Sequence, residues 1–211
     1  PFPSLIRYMN SKTKIININI DGINFIHQKD RPVIDLFAGS ASLAGAIGKQ
    51  CNFVSNDIQE YSKILSQTYL VNLASKDIPA LDEIYQKTLA IVKSNIKQKY
   101  IVNYSDLKNI DEFNSLEEKQ KDLINQNLDY PYHLFAKNYS GTWWSYEQCL
   151  WIDALRQVAD DYKNKPLYPI FLASLMYAMA YCSQGTGHYA QYRDAKTNSS
   201  FNDICIYRKK E

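Results

Sequence analysis

The stretch VIDLFAGSASLAGAIG, residues 33–48, sets a run of β-branched residues against an acid, a turn of small residues and a second apolar run. That order predicts a buried strand ending at Asp35 or Leu36, a tight ligand loop, and a short helix from Ser42. NFVSND (52–57) repeats the strand pattern and ends near Asp57. IQEYSKILSQTYLVNLA (58–74) then spaces Ile58, Tyr61, Leu65 and Tyr69 along one helical face. The predicted succession is β-α-β-α, the opening of a parallel α/β sheet.

Around this unit the chain changes character. PFPSLIRYMNSKTKIININI (1–20) passes Arg7, Lys12 and Lys14 before an apolar-periodic stretch, read as a helix from about Ser11 to Phe25. After Ala74, LDEIYQKTLAIVKSNIKQKYI (81–101) and SLEEKQKDLINQNL (115–128) are rich in Lys, Glu and Gln, with helical periodicity and no glycine. WSYEQCLWIDALRQVADDY (144–162) places Tyr146, Leu150, Ala154, Leu155 and Val158 on one face of an amphipathic helix. PLYPIFLASLMYAMAYC (166–182) reads as a buried helix, and NDICIYRKKE (202–211) as a final strand. The expected division is an α/β core over residues 1–74, then a mostly helical insertion and recognition region over 75–211 that leads back to the core.

Composition narrows the class. The chain has 211 residues with 45% hydrophobic and 22% charged content, ordinary values for a globular protein. Its net charge of +2 excludes a strongly basic nucleic-acid binder, so any such surface is a local patch. Tyrosine is frequent, at 17 residues, and offers either stacking rings or core packing. Cys51, Cys149, Cys182 and Cys205 form no CxxC pair and read as free thiols of a reducing compartment, the cytoplasm. The longest apolar run, residues 170–182, is too short to span a bilayer, so no membrane partner is expected. His27 and His133 lack metal-ligand spacing, and no metal site is expected.

The loop's ligand follows from what it lacks. Residues 39–48 contain no GxxxxGK[ST], which argues against a triphosphate. A dinucleotide loop needs GxGxxG, but here the series runs Gly39, Ala41, Ala44, and Asp35 would repel a pyrophosphate. An acid at that point suits a cationic ligand. S-adenosylmethionine carries a sulfonium and an ammonium group and no phosphate. Asp57, 22 residues after Asp35 at the end of the second strand, is placed to bond both ribose hydroxyls.

At these residues the chain resembles the Dam-like adenine-N6 DNA methyltransferases. IDLFAGSAS is similar to the family's F-x-G-x-G cofactor loop, with Ala41 at the last glycine, and SNDIQEYS to its strand-two acid motif. IRYMNSKTKI is similar to the family's N-terminal motif, an aromatic residue followed four positions later by a lysine, which places Tyr8 and Lys12 there. The resemblance implies a Rossmann-like S-adenosylmethionine-dependent core with a partial sheet. It implies a cofactor site of Tyr8, Lys12, Asp35, Phe37, Gly39, Ser40, Asp57 and Ile58, with Lys12 near the target base. FLASLMYAMAYCSQGTGHYAQYRD (171–194) resembles the stretch in which an apolar helix enters a DNA-contacting turn and hairpin. His188, Tyr189, Gln191, Tyr192 and Arg193 are then candidates for double-stranded DNA. An ordinary surface hairpin has the same composition, and both readings stay open. The family's setting is a bacterial- or phage-type cytoplasm, often in restriction–modification.

One element of the family is missing. Its [DNS]-P-P-[YFW] tetrapeptide supplies acceptors for the adenine amine and a ring on which the flipped base stacks. The nearest match, DYPY at 129–132, follows the polar LINQNL rather than an apolar strand and precedes the recognition stretch, so it is not taken as catalytic. No catalytic residue is therefore assigned. The chain reads as the cofactor and recognition half of an enzyme: a truncated form, one subunit of a split enzyme with a D-P-P-Y-bearing second chain, or a degenerate relative. DLFAGSASL also resembles the opening of the cytosine-C5 methylases, but none of the four cysteines follows a proline, as their nucleophile does. KNYSGTWWSYEQ (137–148) is a second DNA candidate if it is a strand, with one of Trp143 and Trp144 buried and the other available, but core packing is the favoured reading for both. Lys93, Lys97, Lys99 and the tail Arg208-Lys209-Lys210 read as solvated.

Overall fold

The computed structural model describes Leu5, residues 15–185 and residues 193–209. The chain divides into two compact units, Pro1–Ile78 with Asn164–Tyr177, and Pro79–Lys163 with Ala178–Glu211.

The first unit holds the βαβ motif. After helix α1 (Ile16–Ile26) come strand β1 (Val33–Asp35), helix α2 (Ser42–Ile47), strand β2 (Phe53–Ser55) and helix α3 (Glu60–Leu70). The strands pair in parallel, Val33 with Phe53, Ile34 with Val54 and Asp35 with Ser55. Small residues let the helices approach: Ala41, Ala44, Leu65 and Ala173 form a core against which Phe53, Tyr61, Tyr69 and Met176 pack. Ala173 belongs to helix α8 (Leu167–Cys182), and the Thr68 hydroxyl on α3 donates to the Pro169 carbonyl at 2.9 Å. The opposite sheet face is exposed among the described residues. Ile34 and Val54, register partners and therefore on one face, are 54% and 44% exposed. No residue of α1 is buried. Parallel sheets are ordinarily covered on both faces.

The second unit is helical. It contains α4 (Leu81–Asn95), α5 (Ile110–Lys121), α6 (Leu134–Asn138), α7 (Tyr146–Ala159), the end of α8, and α9 (Asn198–Arg208). Local chemistry starts these helices. The Asn109 side chain caps α5, a Ser145–Gln148 capping box opens α7, and a Thr197–Ser200 box opens α9. The amides of Phe135 and Ala136 in the first turn of α6 instead donate to Asp153 of α7, at 3.1 and 2.8 Å. Burial raises the Asp153 carboxyl pKa above its ordinary value, and these two hydrogen bonds oppose that. One core gathers around Val92, Leu123, Tyr146, Cys149 and Leu150, and a second joins α5 to α9 through Phe113, Phe201, Ile204 and Cys205.

The structure bears out the β-α-β-α opening and the amphipathic helix α7. Two expectations change. Residues 202–208 belong to α9 and not to a strand. Ile204 and Ile206 suggest alternation, but the capping box starts a helix whose buried stripe is Phe201, Ile204, Cys205 and Arg208, leaving Ile206 exposed. Helix α8 is apolar all round yet not wholly buried, since Tyr177 and Tyr181 lie exposed. Trp143 and Trp144 both pack against the core, as favoured from the sequence, with Trp144 in an isolated bridge to Ser140 and its indole N–H donating to the Met179 carbonyl at 3.0 Å. Among the described residues the chain is thus mostly helical, with a two-stranded parallel sheet in the first unit, and the wider Rossmann-like sheet is not seen. No helix among them is long and apolar enough to cross a membrane.

Two glycines of opposite character test this packing. Gly141 has φ of 72°, and a Cβ there would lie 2.4 Å from the Glu117 carbonyl oxygen. Gly141→Ala is expected to destabilise the protein by about 2 kcal/mol or more, from left-handed strain plus the clash. Gly22, in α1, opens onto free space, with nothing within 4 Å of the point a Cβ would occupy. Gly22→Ala is expected to stabilise by about 0.5–1 kcal/mol through helix propensity. Urea unfolding of both variants checks the signs, and equal shifts would refute the packing described.

Candidate cofactor site and recognition frame

The loops after β1 and β2 meet at the C-terminal ends of the strands. Asp35, the last residue of β1, is buried, and its carbonyl accepts from the Asn56 amide at 2.8 Å. The Ala38 amide returns the bond to the Asn56 carbonyl at 3.0 Å, and the Asn56 side chain donates to the Leu36 carbonyl at 3.0 Å. Asp57 closes the arrangement. Its Oδ2 accepts from the Gly39 amide at 2.8 Å and its Oδ1 from the Gln59 amide at 2.9 Å. One carboxylate therefore clasps both loops.

Gly39 and Ala41 both have left-handed backbone, with φ of 54° and 58°. The residue read as standing at the family's last glycine thus adopts the conformation that glycine favours. Ala41 is fully buried, and its methyl packs in the core of its unit. The Ser40 and Ser42 hydroxyls bond each other at 2.8 Å. On the rim, Phe37 and Ile58 are 79% and 98% exposed. The structure therefore brings Asp35, Phe37, Gly39, Ser40, Asp57 and Ile58 to one strand edge. Acids beside exposed apolar side chains suit a ligand that combines positive charge and hydroxyls with an apolar ring. No cluster of metal-ligating side chains occurs among the described residues. Tyr8 and Lys12 lie outside the described residues.

In the candidate DNA stretch, His188, Tyr189, Gln191 and Tyr192 also lie outside the described residues. Arg193 is described. Its amide donates to the Gln184 carbonyl at 3.2 Å, while its carbonyl accepts from the Gln184 side chain at 2.6 Å. DYPY, in the second unit, is occupied with packing. The Tyr132 hydroxyl bonds Asp160, which also pairs with Arg156 at 2.5 Å, and burial pushes the Tyr130 phenol up.

Sequence reading missed a buried polar network. Arg208, expected to be solvated, is buried, with Nε and Nη2 donating to the two Glu117 carboxylate oxygens at 3.1 and 2.7 Å. Nη2 also donates to the Thr142 carbonyl at 2.7 Å and to Gln184 Oε1 at 2.5 Å. Burial pushes the Glu117 carboxyl up, and Arg208 opposes that shift. Tyr104 and Gln120 extend the network to the Tyr100 carbonyl and the Tyr146 amide. The available signal was the spacing Phe201, Ile204, Cys205, Arg208, which puts the arginine on the buried stripe of α9.

A βαβ unit with paired loops and two strand-end acids has the arrangement in which α/β sheets bind ligands, in the crevice outside the carboxyl ends of the strands. Comparison with protein families then matches residues 8–209 to the D12 class N6 adenine-specific DNA methyltransferases. The chain belongs to that family. No curated protein and no solved structure matches it. The family bears out the resemblance drawn from IDLFAGSAS and SNDIQEYS. It makes the chain a member of a DNA methyltransferase family whose methyl donor is S-adenosylmethionine.

The Asp57 clasp makes a direct prediction. Asp57→Ala leaves the Gly39 and Gln59 amides without their charged acceptor, worth about 1.5–3 kcal/mol each. Those two amides should exchange hydrogen about tenfold faster or more, while Leu150 in the second unit keeps its protection. Unchanged exchange at Gly39 would show that the carboxylate does not hold the loop.

Proposed function

We propose that this chain provides the S-adenosylmethionine site and DNA recognition of an adenine-N6 DNA methyltransferase. The observation that carries the reading is the Asp57 carboxylate, which holds both strand-end loops beside the exposed Phe37 and Ile58. Asp57 would accept the ribose hydroxyls, and Phe37 and Ile58 would cover the adenine ring. Asp35 would favour the cationic end of the donor, with Gly39 and Ser40 shaping the loop around it. Tyr8 and Lys12 complete the proposed site. In this reading residues 1–74 form the cofactor core, and residues 75–211 carry recognition through His188, Tyr189, Gln191, Tyr192 and Arg193. S-adenosylmethionine, when bound, would supply a methyl activated on a sulfonium; its transfer to the amine of a flipped adenine would form N–CH3, break S–CH3 to leave the neutral thioether S-adenosylhomocysteine, and release one proton from the amine.

The amine is a weak nucleophile and needs acceptors and a stacking ring held in register. No [DNS]-P-P-[YFW] occurs in residues 1–211, and Lys12, if protonated, can only donate. The catalytic tetrapeptide is therefore proposed to come from a further polypeptide segment, covalently continuous or separate. The bare Ile34–Val54 face supports this, because added strands and helices would cover it.

Calorimetry on the folded chain tests the cofactor site. Asp57→Ala should weaken S-adenosylmethionine binding by about 1–3 kcal/mol. Ile58→Ala removes a side chain that the fold leaves exposed, and should weaken binding by about 1 kcal/mol without lowering stability. Unchanged affinity in both variants, or a preference for a nicotinamide dinucleotide, would overturn the assignment.

Tritiated S-adenosylmethionine and duplex DNA test the division of labour. The chain by itself should transfer no methyl, and transfer should appear when a D-P-P-Y-bearing polypeptide is added. Transfer by the chain alone that Asp129→Ala abolishes would assign catalysis to DYPY. Cofactor and DNA binding with no transfer under either condition would favour a catalytically inactive, regulatory relative.

A further inference from the structure

Of the five candidate DNA contacts Arg193 is the one that is described, and its guanidinium has no hydrogen-bond or ion-pair partner among the described residues. Its backbone, by contrast, is held on both sides. The Gln184 carbonyl accepts its amide, and the Gln184 side-chain amide donates to its carbonyl. Gln184 is itself fixed at three points. Its amide donates to the Trp143 carbonyl at 2.8 Å, its Nε2 is used on Arg193, and its Oε1 accepts from Arg208 Nη2. Arg208 is in turn locked by Glu117 and by the Thr142 carbonyl, inside a core that leaves both members of the pair nearly inaccessible.

A side-chain amide is two-fold ambiguous, with oxygen and nitrogen at either end of a planar group. Arg208 can only donate, so it requires the oxygen of Gln184 and leaves the nitrogen to face the Arg193 carbonyl. An ion pair buried in α5 and α9 thereby determines which way the amide points at the backbone of Arg193. Buried ion pairs can often be replaced by apolar residues of similar volume at no cost in stability, so the pair calls for a role besides stability.

We infer that Glu117, Arg208 and Gln184 form a positioning relay that sets the backbone of Arg193 so that its free guanidinium meets a DNA phosphate. This inference rests on the proposal that Arg193 contacts DNA, and it assigns the positioning function to residues that touch neither DNA nor cofactor. Electrostatically, the buried carboxylate offsets the Arg208 charge locally. The cation offered to the phosphate backbone is then Arg193 and not Arg208.

A double-mutant cycle on the full chain tests it, using fluorescence anisotropy with a fluorescein-labelled, mixed-sequence duplex at fixed salt. In the parent, Arg193→Ala should weaken binding about tenfold, as expected for a lost charge-assisted hydrogen bond. In the Glu117→Leu/Arg208→Met background, which replaces the pair with apolar volume, Arg193→Ala should change affinity less than about twofold, because Arg193 is already misplaced. Gln184→Met, which leaves the ion pair in place, should give the same loss of coupling and covers the case in which the double variant does not fold. A merely structural role for the relay predicts additive effects. If Arg193→Ala costs about tenfold in every background, the relay is refuted and the DNA reading stands. If Arg193→Ala changes nothing in the parent, the DNA contact fails and the relay with it.

Discussion

The carboxylate of Asp57 accepts from Gly39 and Gln59, so two loops from different strands share one acceptor. The parallel pairing of β1 with β2 brings the loops to the same end of the sheet, but pairing alone leaves their amides unfilled. A charged acceptor between them turns two flexible connections into one edge, with Phe37 and Ile58 left facing outward. The left-handed residues Gly39 and Ala41 follow from the same constraint, because the chain must turn sharply to present the Gly39 amide to the acid.

The second unit applies the same device at greater depth. Asp153 fills the amides that open α6, and Glu117 with Arg208 ties α5 to α9. Such buried groups are costly unless every partner is present, and removing one member of a buried pair typically costs about 3–5 kcal/mol. The unit places these polar contacts where helices from distant parts of the sequence must come together in one arrangement. The apolar clusters that join the same helices give affinity between them, while the polar contacts give direction.

Exposed apolar surface differs in what it implies. Among the described residues Ile34 and Val54 lie exposed on one sheet face and α1 buries none of its residues, whereas parallel strands are ordinarily covered on both faces. Tyr177 on α8 is exposed too, but its ring carries a hydroxyl that water can satisfy.

Much was legible in the sequence because it is local chemistry. The strand VID, the small-residue turn and the acid after the next strand lie within a span of 25 residues, and each restricts the backbone directly. The family resemblance could be drawn from the same residues. The capping boxes of α7 and α9 were equally local, although the alternation of Ile204 and Ile206 hid the second. What only the tertiary structure decided are the contacts between distant positions. Arg208 lies 91 residues from Glu117 and reads as one more charge in a basic tail, until α5 and α9 pack and exclude water from both. Gln184 carries no signal in its own neighbourhood, because its role depends on a guanidinium delivered by another helix. Sequence patterns reveal periodicity and turn chemistry, which act over a few residues. Burial of a charge is a property of what the rest of the chain places around it.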